Sequence, residues 1–291
     1  MNNSKISVLI VTYNSMDYIL DCLKSVYQSK LEGFSLEVII SDNASKDDTV
    51  SLITKNYGKS KIITNKNNTG FAGGINIAIK KGLESDSDYF FILNPDTLIK
   101  KDTILNLFKF RGEADILSPK IYFTDNPKVI WYAGGKIDWN NCYGTHIGVD
   151  EEDCGQYDQI KEIDYSTGCG ELVSRKVFEK VGFMNEKYFL YLEDLDFSLR
   201  AKKNGFKIKY IPTSSMFHHN AKSSSVGSPI QDYYITRNRM YFALIYAPIR
   251  TKIAVFRQSF GFLINGRKAQ KIAVQDFLMF KMYTGSIFKK I

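Results

Sequence analysis

Through its first hundred residues the chain alternates short apolar runs with amphipathic segments. Runs at 6–12, 36–41, 61–64 and 89–93 have the length and character of buried strands. Between the first two, Ile19, Leu20, Leu23, Val26 and Tyr27 recur at helical spacing and predict a helix over 16–28 with one buried face. Ser45 followed by Asp48 resembles a capping box that opens a second helix reaching about residue 57. A third helix is predicted over 73–81, stopped by Gly82. Such alternation is the signature of βαβ units and of an α/β fold with a mainly parallel, Rossmann-like sheet and flanking helices.

Periodicity weakens over 123–166, a stretch rich in Gly, Asn and Asp that reads as an irregular excursion to one side of the sheet. It returns with a strand at 171–174, helices at 176–181 and 193–203, a strand at 207–211 stopped by Pro212, and a helix at 230–246. Two regions follow: 1–229 as an α/β domain, and 230–291 as a basic, aromatic-rich helical C-terminal extension.

The strand ends carry the candidate chemistry. Thr12-Tyr13-Asn14, Asp42-Asn43, Asn65 to Asn68 and Asn94-Pro95-Asp96 all follow apolar runs. In a parallel sheet these ends share one edge and converge on one crevice. In FILNPDTLI, Pro95 cannot donate to a ladder, so the strand ends there and presents Asp96, a carboxylate suited to a hard cation. The loop NNTGFAGGIN contains Gly70, Gly73 and Gly74, which let backbone approach a ligand before a helix N-terminus; it is neither a Walker A loop nor the GxGxxG fingerprint. Glu193, Asp194 and Asp196 crowd the start of a helix, where acids suit the helix dipole and Asp196 can pair with Arg200. Crowding also raises carboxylate pKa values and suits one of them to accept a proton. His218, one of only three histidines, is the partner for Asp96 on a divalent ion, magnesium or manganese.

In order along the chain, VTYN, SDNASKDDT, NNTGFAGGIN, LNPDT, TGCGELVSR, FLYLEDLDFSLRAKKNG and FHHNAKSSS resemble glycosyltransferase family 2, and its rhamnosyltransferase-like branch in particular. The resemblance spans roughly residues 6–242 and implies a GT-A fold and an inverting, metal-dependent transferase. It implies donor contacts at Thr12, Tyr13, Asn14, Asp42, Asn68, Gly70, Phe71, Gly74, Asn94, Asp96, Arg237 and Asn238. Asp96 would hold Mn or Mg together with His218, and Asp194, with Glu193 beside it, would be the catalytic base. Asn94 stands where the general DxD motif has its first acid, as this branch accepts, which leaves one acid fewer for the ion. VGFMNEKYF has Asn185 in place of the Asp of the common Gly-Gly-Phe-Asp-Glu form, so no acceptor contact is expected there. Rhamnose from dTDP-rhamnose is the first expectation for the donor, and a UDP-linked galactofuranose or hexose is the alternative. The acceptor would be a glycan or a polyprenyl-linked sugar in surface polysaccharide synthesis.

Composition narrows the classes. No apolar stretch of the 291 residues approaches the ~20 needed to cross a bilayer, and the N-terminus reads as a first strand, not a signal peptide. Cys22, Cys142, Cys154 and Cys169 form no CxxC pair, which argues against zinc and fits a reducing cytoplasm, with a Cys142–Cys154 disulfide left open. The net charge of +8 is uneven: from Arg237 onward eleven cations face the single acid Asp276. Interleaved with aromatics, they suit an anionic membrane surface, giving peripheral contact through 237–291 on the cytoplasmic face of a bacterial cell membrane. A helical core or homodimer contact is the alternative for the same aromatics. Nucleic-acid binding finds neither an RNP pattern nor a zinc finger. A nucleotidyltransferase would need a Gly- and Arg-rich loop where VTYNSMDY stands, and a non-catalytic sugar-nucleotide sensor would keep Asp96 without needing Asp194.

Overall fold

A computed structural model describes residues 4–219 and 227–290. The FHHNAKSSS segment beyond His219 therefore lies outside the described residues. In chain order the first half comprises β1 (Ser4–Thr12), α1 (Ile19–Tyr27), β2 (Phe34–Asp42), α2 (Thr49–Asn56), β3 (Lys61–Thr64), α3 (Gly70–Glu84), β4 (Tyr89–Leu93), β5 (Thr97–Ile99), α4 (Thr103–Lys109) and β6 (Ile116–Phe123). There follow β7 (Ile130–Tyr132), β8 (Gly135–Asp138), β9 (Tyr143–His146), β10 (Lys161–Glu162), β11 (Gly170–Ser174), α5 (Arg175–Val181), α6 (Glu193–Lys203) and β12 (Ile208–His218). The chain closes with α7 (Pro229–Tyr246), α8 (Ile249–Asn265), α9 (Lys268–Leu278) and α10 (Ile287–Lys290).

One sheet runs in the order β10-β12-β6-β11-β4-β1-β2-β3, with β5 added to β12 and β7 to β6. Strands β4, β1, β2 and β3 are mutually parallel, as the four polar strand ends require, and β11 is inserted antiparallel against β4. The core lies between this sheet and its helices: Ile19, Cys22, Leu23 and Val26 face β1 to β4 from α1, and Ala72, Ile75, Ala78 and Ile79 do so from α3.

Four expectations need correction. Helix α3 does not stop at Gly82 but passes through it to Glu84; a β-carbon there would lie 2.6 Å from the Phe90 ring, so this glycine serves helix–strand packing. No capping box opens α2, because the Ser45 hydroxyl donates to Asp42 at 2.5 Å while Asp47 accepts from the Thr49 hydroxyl at 2.6 Å. Strand β12 continues past Pro212, where its pairing with β6 shifts register between Ile211 and Ser215, an irregularity that accommodates a missing N–H. The 123–166 excursion also contains β7, the antiparallel β8–β9 ribbon and β10. All four cysteines are free, so Cys142 and Cys154 are unpaired.

Candidate active site

At the β1–β2 side of the edge, the polar side chains are bonded mainly to one another. Asp42, 1% exposed, accepts from the Thr12 hydroxyl at 2.7 Å and from the Ser45 amide and hydroxyl. Asn14, in the left-handed region with φ +50°, donates its amide to Ser45 and accepts from the Lys46 amide, stitching the end of β1 to the loop after β2. Asn68 accepts from the Gly70 amide at 2.8 Å. Thr12, Asp42, Gly70 and Gly74 are thus buried framework, whereas Tyr13 and Asn14 are exposed and Asn68, Phe71 and Asn94 half-exposed at the mouth. A side chain at Gly74 would collide with Val11, so that glycine closes the helix onto β1 and does not face open space.

Asp96 follows a turn held from three sides. The Asn94 amide donates to the Cys169 carbonyl at 3.1 Å, and the Asn94 carbonyl accepts from the Thr97 hydroxyl at 2.6 Å and the Cys22 thiol at 3.6 Å. Pairing of β5 with β12 sets Thr97 opposite His218, and the His219 amide donates to the Asp96 carbonyl. His218 Nε2 consequently lies 3.5 Å from Asp96 Oδ1, while that oxygen and His218 Nδ1 are buried without a hydrogen bond. Burial disfavours the imidazolium, but Cys169 and Asp96 outweigh this and raise its pKa, so a cation would have to displace a proton to be held by the ring. Adjacent oxygen and imidazole donors with unsatisfied atoms fit a divalent cation. Among the described residues no cluster of three or more His, Cys, Asp or Glu side chains is spaced to hold an ion, so this pair fits a cation whose other positions go to non-protein oxygens. Trp131 and His146 wall the site: the Trp131 ring centroid is 4.5 Å from that of His218 and 4.3 Å from that of His146.

Asp194 reaches the same edge from α6. Its Oδ1 accepts from the Leu195 amide at 2.8 Å and its Oδ2 from the Gly168 amide at 3.4 Å, beside Cys169. Both Asp96 and Asp194 act electrostatically on the Cys169 thiol, so the carboxylates flank the start of β11. Burial pushes the Asp194 carboxyl up to about 6. Glu193 is more deeply buried, and burial together with the Asp194 charge raises its pKa well above the ordinary carboxylate value, which favours its protonated form. Asp196 turns away, pairing with Arg200 at 2.7 Å and accepting from the Tyr246 hydroxyl, a stabilising role within α6.

The loop that delivers these acids is strained. Phe189, Tyr191 and Leu192 all have positive φ, which for bulky residues persists only when surroundings impose it. The imposition comes from α7. Asn238 donates to the carbonyls of Tyr188, Leu190 and Tyr191 at 2.8–2.9 Å, and Arg237 donates to those of Lys187, Tyr188 and Tyr283. Both side chains are fully buried. Against the expectation of donor contacts at Arg237 and Asn238, Asn238 donates to backbone carbonyls, and Arg237 donates to backbone carbonyls and to the Asn238 side chain, an arrangement that positions the loop. Gly70, with φ +72°, belongs to the same arrangement, since a β-carbon there would lie 2.3 Å from the Phe189 carbonyl oxygen.

Sequence reading also left residues of TGCGELVSR unassigned. Gly168 donates to Asp194 and Cys169 accepts from the Asn94 amide of the Asp96 turn, and Glu171 is a buried acid in β11 whose pKa is pushed up to about 8, by burial and by Asp194. An acid interrupting an apolar strand was the available signal. A separate hollow of about 560 Å³, lined by Lys268, Lys271, Ile272, Gln275 and Lys290, lies on the helical extension, not among these acids.

The family model for Glycosyl transferase family 2 matches residues 7–182, more than half of the chain. The chain is 27% identical over 238 residues to the low-salt glycan biosynthesis hexosyltransferase Agl10 of Haloferax volcanii, covering 80% of this chain and 74% of that protein. It is 28% identical over 246 residues to the dTDP-rhamnosyl transferase RfbF of Shigella flexneri (81% and 79%). It is 24% identical over 247 residues to the N-acetylglucosaminyl-diphospho-decaprenol L-rhamnosyltransferase of Mycobacterium tuberculosis (75% and 76%). Among solved structures, GalNAc-T7 with UDP, GalNAc and Mn2+ superposes with a TM-score of 0.67 at 15% identity, over 94% of this chain and 55% of that one. Staphylococcus aureus TarS with UDP-GlcNAc gives 0.61 at 19%, over 94% and 81%. The fold is thus of the GT-A type, and the chain belongs to glycosyl transferase family 2.

Proposed function

We propose that the chain transfers a sugar with inversion from a nucleotide sugar to a lipid-linked or glycan acceptor, with rhamnose from dTDP-rhamnose as the first donor to test. The observation that carries this reading is that the Asp96 turn and Asp194 are both hydrogen-bonded to one short segment: the Asn94 amide donates to the Cys169 carbonyl at 3.1 Å, and the neighbouring Gly168 amide donates to Asp194 at 3.4 Å. Breaking a sugar–phosphate bond develops negative charge on the leaving diphosphate. A divalent cation, Mn or Mg, held by Asp96 and His218 supplies compensating charge there. Asp194, half-buried with a raised pKa, accepts the proton of the acceptor hydroxyl as that oxygen attacks the anomeric carbon. Neutral Glu193 keeps a second negative charge away from this base. Tyr13, Asn14, Asn68, Phe71 and Asn94 line the mouth and hold the nucleotide, over a framework of Thr12, Asp42, Gly70 and Gly74.

The relatives named for dTDP-rhamnose and for a decaprenol-linked acceptor support these two choices, and the relative named a hexosyltransferase keeps UDP-sugars in the test. A lipid-linked acceptor would put the protein at the cytoplasmic face of the membrane. The test is nucleoside diphosphate release from a panel of sugar nucleotides with and without a chelator, for wild type, Asp96→Ala and Asp194→Asn. The reading expects release with one donor, lost in both variants and on chelation. Unchanged turnover in both variants would remove it.

A further inference from the structure

We propose that the outer face of α8, together with the turn after α9, seats the protein on an anionic lipid bilayer. The folded extension separates its aromatics and cations into two sets. Tyr233, Tyr234 and Phe242 are buried in the helical core, as are Arg237 and Arg239. What remains outside is a stripe on α8: Ile249, Ile253, Phe260 and Ile264 are 70%, 63%, 41% and 76% exposed. Their spacings of four, seven and four residues align them along one side of a helix. Exposed Arg250 and Arg257 flank this stripe.

The stripe continues onto a second element. Phe260 contacts Phe256, Phe256 contacts Phe277, and Phe277 stacks with Phe280, a chain of rings with centroids 5.6–6.5 Å apart. Phe280 is 76% exposed, next to half-exposed Leu278 and Met279 and exposed Lys281. Phe277 in this chain of rings is buried, at 7% exposure, so the rings tie two exposed apolar patches together from beneath, one on α8 and one on the turn after α9; large isolated apolar residues are ordinary on a surface, but two linked patches rimmed by cations are not.

Charge selects the occupant. The one acid from Arg237 onward, Asp276, is buried and accepts from the Tyr233 and Ser286 hydroxyls, so it contributes nothing to the outer face. A second copy of the chain docked on this face would set like charges against each other. A bilayer of anionic lipid offers apolar depth for the stripe and phosphates for its rim. No described helix is long and apolar enough to cross a membrane, so α8 lies in the interface plane.

The test is sedimentation of the full chain with vesicles of mixed phosphatidylglycerol and phosphatidylcholine, or of phosphatidylcholine alone. The proposal expects about tenfold or stronger preference for the anionic vesicles, weakening with salt. Ile253→Glu combined with Ile264→Glu should lose about tenfold or more of the binding, and Arg250→Glu with Arg257→Glu should abolish the lipid preference, all with unchanged melting temperature. Equal sedimentation of wild type and the isoleucine variant would overturn the proposal. So would a wild-type dimer that Ile253→Glu splits and that ignores vesicles, which would make the face a contact between copies. Repeating the measurement on Asp194→Asn separates this result from the assigned reaction.

Discussion

The two sides of the active-site edge are built on opposite terms. Around β1 and β2 every polar group has company: Asp42 takes three donors, and the Asn43 side chain accepts from Asn65 and Thr69 while donating to the Gly70 carbonyl. Around β11 and α6, Asp96, Glu171 and Glu193 each keep one buried oxygen without a hydrogen bond. An unsatisfied buried group costs about 1–3 kcal/mol, so the second side holds reactivity at the expense of stability that the first does not surrender. The contrast separates a fully bonded framework, the proposed nucleotide platform, from acids left with unsatisfied oxygens, where the proposed proton and cation chemistry would lie.

The sharpest way to break this comparison is Asp194→Asn, which keeps the shape and removes the base. Transfer should fall by about 10²–10⁴-fold with the melting temperature unchanged. In wild type, kcat/KM should climb as pH rises through about 6 and flatten above it, because Asp194 accepts a proton only once ionised. A flat profile over that range would place the base elsewhere. Asn238→Ala comes next: the Leu190 and Tyr191 carbonyls of the strained loop lose the Asn238 donor while that of Tyr188 keeps Arg237, so stability should drop by about 2–4 kcal/mol in urea unfolding, and kcat should fall more than KM rises. Loss of stability with kinetics untouched would leave Asn238 a purely structural residue. Gly70→Ala should cost about 1–3 kcal/mol from the left-handed backbone alone, and more if Phe189 cannot yield, while displacing the same loop from the nucleotide side.

The smallest effect concerns Glu171. Its folded pKa of about 8 stands above the ordinary 4.5, so the native state holds a proton that the unfolded chain releases. Its stabilising contribution is full below about 4.5 and is lost as pH climbs towards about 8. Melting temperature should therefore decline between about pH 5 and about pH 8, and Glu171→Gln should flatten part of that slope. An identical slope in the variant would mean that other buried acids set it.

The parallel half of the sheet was legible because its strands are unbroken apolar runs ending in polar loops, and Asp96 was legible because Pro95 cut a strand short. Strand β6 was not: ILSPKIYF has Pro119 and Lys120 at its middle, and Lys120, 2% exposed, becomes compatible with the core only by pairing with Asp153 and Asp158 at 2.8 and 2.6 Å, residues more than thirty positions away. Arg237 and Asn238 were visible as residues of consequence, but their direction was not. A hydrogen-bonding side chain that looks as though it meets a ligand meets backbone instead, because the turn it serves lies some fifty residues earlier in the chain. Glu193 and Asp196 likewise read as equals of Asp194 until packing separated a neutral acid, a base and an ion pair within one helical turn.

Strand β5 is three residues long, yet it ties Asp96 and His218 to a single antiparallel ladder. The separation of these two groups is set by main-chain pairing, independent of the loops that would choose a base or a sugar. Under the proposed function, a lineage could exchange one donor for another by recasting those loops without retuning the hold on phosphate, since the clasp and the selector would be written into different parts of the backbone.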